Sequence, residues 1–160
     1  MNENLSNSDL IDFVYYEIAC EKMKAIDFSN YAEWKKVVSE MALPIATVYR
    51  IGILNQQVMN GGFIQYFDNG YGIFAQETVE DFKRIGAHLS FEILNRCLTL
   101  INPKGYEAER FFELVSNQEY ESYESLFTKE LNELDRKYFN LDDDENLEDL
   151  LAAYLRQSQI

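Results

Sequence analysis

Basic residues are scarce in this chain: 14 Lys and Arg stand against 28 Asp and Glu, a formal net charge of -14 over 160 residues. That balance repels phosphate backbones and anionic membranes, so direct nucleic-acid binding and membrane attachment are not expected. Pro occurs 2 times and Gly 7 times, too few for collagen-like, linker-rich or many-turned β architectures. Two cysteines, Cys20 and Cys97, make no disulfide framework. A single histidine, His88, excludes a His-based zinc site or a two-His iron site. No apolar run approaches the ~18 residues of a membrane span. The best stretch, Met41 to Val48, is interrupted by Pro44 and followed by Arg50. Met1 to Asn7 carries neither the basic stretch nor the apolar core of a signal peptide, so a reduced cytoplasm is the expected compartment.

What is abundant is core-forming material. The hydrophobic fraction is 47%, with 11 Tyr, 11 Phe and 1 Trp, and a single domain of this length buries roughly 68–70% of its unfolded surface. Apolar residues Ile11, Val14, Tyr15, Ile18 and Ala19 recur at helical spacing, predicting a helix over about Asp9 to Asp27 with Ser8 or Asp9 as its cap. Trp34, Val37, Val38 and Met41 mark a second helix. Pro44 suits the first turn of a third, running from Ile45 to Met59. Asn60-Gly61-Gly62 reads as a helix stop, followed by one or two turns bearing Phe63, Tyr66 and Phe67 and a tight turn at Gly70. Further helices are expected over Phe74 to Ile85, His88 to Ile101, Tyr106 to Val115, Tyr123 to Phe139 and Asn146 to Gln157. No segment alternates with period two. The expectation is an all-α single domain of seven to nine helices spanning 1–160.

The acids are unevenly spread. From Glu107 to Asp149 there are 15 acids against Arg110, Lys129, Arg136 and Lys137, and no base lies between Lys137 and Arg156. Acids just before a helix are favoured by its dipole, and an acidic face keeps a domain soluble. Spacing supports a sharper reading, because carboxylates at i, i+3 and i+4 lie ~5–6 Å apart on a helix and form rows. Duplex DNA is itself a line of anions, about one per 1.7 Å of axis. Candidate partner-binding acids are therefore Glu119, Glu121, Glu124, Glu130, Glu133, Asp142, Asp143, Asp144, Glu145, Glu148 and Asp149. An EF-hand starting at Asp142 would need Gly at 147 and Glu at 153, where the chain has Leu147 and Ala153.

Other constellations are weaker. Nine residues between His88 and Cys97 is not a helical-face spacing, so a Cys–His nucleophile would arise only by an accident of folding. Gly70-Tyr71-Gly72 is no dinucleotide fingerprint, and neither a P-loop nor G-x-S-x-G is present. No catalytic residue, metal or cofactor is expected. The amides Asn55, Gln56, Gln57, Asn60, Gln65 and Asn69 admit two readings: a polar pocket that grips a ligand, or a helix end whose amides satisfy exposed backbone groups.

The stretch Asn55 to Gly72, centred on Asn60-Gly61-Gly62-Phe63-Ile64-Gln65-Tyr66-Phe67-Asp68-Asn69, resembles a bacterial domain family whose described member is an acidic DNA-mimic protein. The likeness extends through Phe82 to Ala87 and Leu134 to Phe139 to the closing helix, from about Val48 onward. The resemblance implies an all-helical fold, with Asn60, Gly61, Gly62, Phe63, Gln65, Phe67 and Asn69 as a structural motif. It also implies an acidic surface that sequesters a helix-turn-helix regulator. The leading expectation is thus a non-catalytic protein-binding module whose partner is a basic DNA-binding protein. An immunity-type inhibitor of a basic enzyme, or a ligand-binding or enzymatic domain built on the 55–69 amides, is the alternative. The many tyrosines are compatible with a homo-oligomer.

Overall fold

The computed structural model describes residues 5–118, 121–141 and 144–158, with the backbone alone over 121–127. Among the described residues every regular element is helical, as expected. The chain opens with α1 (Asn7–Asp12), which continues through a π-helical segment (Phe13–Ala19) into α2 (Cys20–Met23) as one rod. Then come α3 (Tyr31–Ser39), α4 (Leu43–Asp68), a 3-10 turn (Tyr71–Phe74), α5 (Ala75–Ile85) and α6 (His88–Ile101). The series ends with α7 (Ala108–Ser116), α8 (Glu121–Phe139) and α9 (Leu147–Gln157).

Helix α4 is the axis of the domain because its sequence is apolar almost all round. Ile45, Ala46, Val48, Tyr49, Ile51, Ile53, Leu54 and Val58 are all buried, which a one-faced surface helix would not allow. The π segment, the 3-10 turn, α5 and α8 pack around it. Each large aliphatic side chain so enclosed contributes about 1.5–3 kcal/mol. Tyr15 of the π segment lies so close to Gly52 that a Cβ there would strike its ring.

The helix stop at Gly61-Gly62 is a break and a restart. Gly62 has φ 76° and ψ -178°, a conformation essentially confined to glycine. The chain then resumes helical geometry and buries Phe63, Tyr66 and Phe67. The first N–H after the break, that of Phe63, donates to Asp135 Oδ1 of α8 at 2.8 Å. That same carboxylate fills the space a Gly62 Cβ would need.

The two ends of the domain meet. Asn7 Nδ2 donates to Asp149 Oδ1 at 2.6 Å, and Arg156 reaches back with Nη1 to Asn7 Oδ1 at 2.6 Å and Nη2 to the Leu5 carbonyl at 3.1 Å. Ser6 caps α1 by accepting the Asp9 N–H at 3.1 Å, two positions before the expected Ser8. Asn146 caps α9 by accepting the Asp149 N–H at 3.0 Å.

Candidate partner-binding surface

Among the described residues three carboxylates are withdrawn from the surface: Asp81 at 0% exposure, Asp135 at 8% and Glu145 at 9%. Asp81 accepts Arg50 Nε at 2.6 Å, Arg50 Nη2 at 2.9 Å and Thr47 Oγ1 at 2.8 Å, and Arg84 closes the cluster from the rim. This network bolts α4 to α5. Burial pushes the Asp135 carboxyl above its ordinary range, while the Phe63 N–H pulls it back. Glu145 reaches across to the start of α6, which has no side-chain cap of its own. Its oxygens accept Leu89 N–H at 2.7 Å, Ser90 N–H at 2.9 Å and Ser90 Oγ at 2.6 Å.

Glu145 therefore corrects the sequence reading. It was counted among the partner-binding acids, yet it is buried and its oxygens are occupied by backbone and hydroxyl donors of another helix. The N-cap of α6 is Ala87, followed by His88, and neither has a side-chain oxygen, so the acceptor comes from far along the chain.

Glu130, Glu133, Asp144, Glu148 and Asp149 are exposed. Glu119, Asp142 and Asp143 lie outside the described residues, as do the side chains of Glu121 and Glu124. The exposed set does not form one cluster. Glu148 shares a shallow groove of about 200 Å³ with Asp12, between α1, α4 and α9. Asp149 stands beside them through its bond to Asn7, and Asp9 lies one helical turn from Asp12. Asp144 falls instead in a separate groove between α6 and α8.

Asp9 and Asp12 were missed by sequence reasoning, which looked for acids in the C-terminal third. No local signal marks them. They join Glu148 only because the chain ends pair across 142 positions. Like charges gathered in one groove repel, a cost that a cationic partner relieves and salt screens.

The amides bond mainly to one another. Asn60 Nδ2 donates to Gln65 Oε1 at 3.0 Å, and Gln57 Oε1 accepts both Gln65 Nε2 and Asn69 Nδ2 at 3.0 Å. They staple the two halves of α4 across its break, so neither the backbone-satisfying reading nor the open-pocket reading describes them. Asn55 accepts from Tyr138 and Gln56 from Tyr15. His88 is exposed at the start of α6, whereas Cys97 is buried and burial pushes its thiol well up. Among the described residues no group of three or more His, Cys, Asp or Glu is placed to hold a metal ion.

A family model described as DMP19-like protein matches residues 39–158. The chain belongs to the DMP19-like protein family. That match begins at Ser39, earlier than the Val48 from which the likeness was read, and covers α4 through α9. The α1–α2 rod, with Asp9 and Asp12, lies before it. No curated protein and no solved structure matches the chain. The DMP19-like name points to a DNA-mimic protein, and hence to a DNA-binding protein as the class of partner. No helix among the described residues is long and apolar enough to cross a membrane.

Proposed function

We propose that this DMP19-like protein is a non-catalytic acidic module that occupies the DNA-binding surface of a basic DNA-binding protein. Family membership is the observation that carries the reading, because the family name is tied to DNA mimicry. The net charge of -14 supports it. So does the exposure of Glu130, Glu133, Glu148 and Asp149, with Asp9 and Asp12 alongside the last two. Asp12 and Glu148 have neither an ion pair nor a hydrogen bond to their side chains among the described residues. They are free to meet lysines and arginines that ordinarily grip phosphates.

The mechanism is competition. Carboxylates held on helices replace phosphates on the partner's basic surface, and counterions condensed near both surfaces are released. Binding is then steep in salt, and mutually exclusive with duplex. The test is capture from the source cell's lysate at low salt, with elution first by duplex DNA and then by salt, and identification by mass spectrometry. A DNA-binding protein released by duplex is the expected result. A basic enzyme released by salt alone would contradict mimicry and favour the inhibitor reading.

A further inference from the structure

An open groove of about 780 Å³ runs between α6 and α8, and its described lining carries more bases than acids. Its floor is aliphatic: Ile93, Leu134 and Leu141 are buried beneath it, and Leu89 stands 38% exposed at its edge. Its walls carry Arg96, Arg136 and Lys137 against Glu92 and Asp144. Among the described lining residues bases exceed acids by three to two, in a chain with twice as many acids as bases.

Those bases are also unpaired among the described residues, as are Lys22 and Lys129 elsewhere, whereas the remaining bases are committed. Lys24, Lys35, Lys36, Arg50, Lys83, Arg84 and Arg110 are all ion-paired. Arg156 holds Asn7 and Leu5, and Lys104 covers the Tyr106 ring. Arg96, Arg136 and Lys137 have no side-chain ion pair, hydrogen bond or ring contact among the described residues. Three uncommitted cations therefore gather over one apolar floor, surrounded by a protein that had acids to spare for pairing them.

The geometry points to a second binding site: the α6–α8 groove takes an acid-bearing amphipathic helical segment of a partner protein, aliphatic side chains down and carboxylates toward Arg96, Arg136 and Lys137. Charge complementarity selects this occupant. A basic segment would meet three cations, and a purely apolar one would leave them desolvated without partners. A groove between two helices, floored by Leu and Ile, is the shape that accepts a third helix by its i, i+3 and i+4 side chains. The site is independent of the proposed mimicry, since it lies in a different groove from Asp12 and Glu148 and recognises the opposite charge.

The probe is a synthetic fluorescein-labelled helical peptide with leucines on one face and glutamates on the other, titrated with the full chain and read by fluorescence polarisation. Saturable binding is expected, weakened about tenfold or more when alanines replace the leucines, and likewise by R96Q/R136Q/K137Q. Circular dichroism and thermal melting of that exposed triple variant should match the wild type. Because polar variants could disturb the groove's shape, D12N/E148Q serves as a second comparison and should bind the peptide as the wild type does. The proposal is overturned by failure to saturate, by undiminished binding to the triple variant, or by duplex DNA displacing the peptide as a simple polyanion would. It is equally overturned if the triple substitution dissolves a dimer while neither form binds peptide, because the occupant would then be a second copy of this chain.

Discussion

Asp81, Asp135 and Glu145 on the inside, and Asp12, Glu130, Glu133 and Glu148 on the outside, are the same chemical group put to two uses. Each inner carboxylate accepts from another element: a bidentate arginine and a hydroxyl for Asp81, the Phe63 N–H of the restarted helix for Asp135, the opening turn of α6 for Glu145. Each bridges elements distant in sequence. The outer carboxylates of Asp12 and Glu148 line one groove and, among the described residues, bridge nothing. An acid excess in composition therefore says little about a binding face until the structural acids are subtracted. Two of the acids in the C-terminal third, Asp135 and Glu145, belong to the fold.

Removing an inner acid should damage stability, and the damage should rank with how many donors are orphaned. Asp81→Ala leaves the Arg50 guanidinium buried and uncompensated, and is expected to cost about 3–5 kcal/mol in denaturant unfolding. A loss below about 1 kcal/mol would mean that Arg50 finds water, and that the cluster is not what bolts α4 to α5. Glu145→Ala orphans two backbone N–H groups, with an expected loss of about 1–3 kcal/mol. Hydrogen exchange should localise the change to the first turn of α6. Gly62→Ala should lose a comparable amount through backbone strain alone, before its collision with Asp135 is counted.

Asp135 sharpens the comparison through pH. Its folded carboxyl is held above the ordinary value by burial, so ionisation costs the folded state. The stability it contributes is complete below the unfolded pKa of about 4 and is lost as pH rises through the elevated folded value. Asp135→Asn keeps an oxygen for the Phe63 N–H and has no charge to bury. The variant should gain on the wild type as pH rises from about 4 toward neutrality, whereas Asp135→Ala should be less stable than Asp135→Asn throughout. A constant offset between Asn variant and wild type across that range would contradict this. The smallest stability effect belongs outside: Asp12→Asn with Glu148→Gln should stay within about 0.5 kcal/mol of the wild type, or rise slightly as repulsion is relieved.

Helices were legible in the sequence wherever a local signal existed. Pro44 opened α4, Asn60-Gly61-Gly62 broke it and Asn146 began α9, because capping and left-handed geometry depend on one or two residues. The π segment was not legible, since one extra residue per turn barely changes which positions are apolar. Nor was the Arg50–Asp81 pairing, or the reach of Glu145 to Leu89 and Ser90. Those contacts span 31, 56 and 55 positions, and only tertiary packing brings them together. The candidate surface was half legible. Glu148 and Asp149 follow from acid counting, but Asp9 and Asp12 enter because α1 docks on α9.

In the proposed function outer acids bind and inner acids hold the fold. Neutralising Asp12, Glu130, Glu133 and Glu148 as Asn and Gln in one variant separates these roles. Capture from lysate, duplex elution and thermal melting would be compared with the wild type. An unchanged melting transition and loss of the duplex-eluted DNA-binding protein are the expected result. Undiminished capture of that protein by the neutralised variant would contradict it.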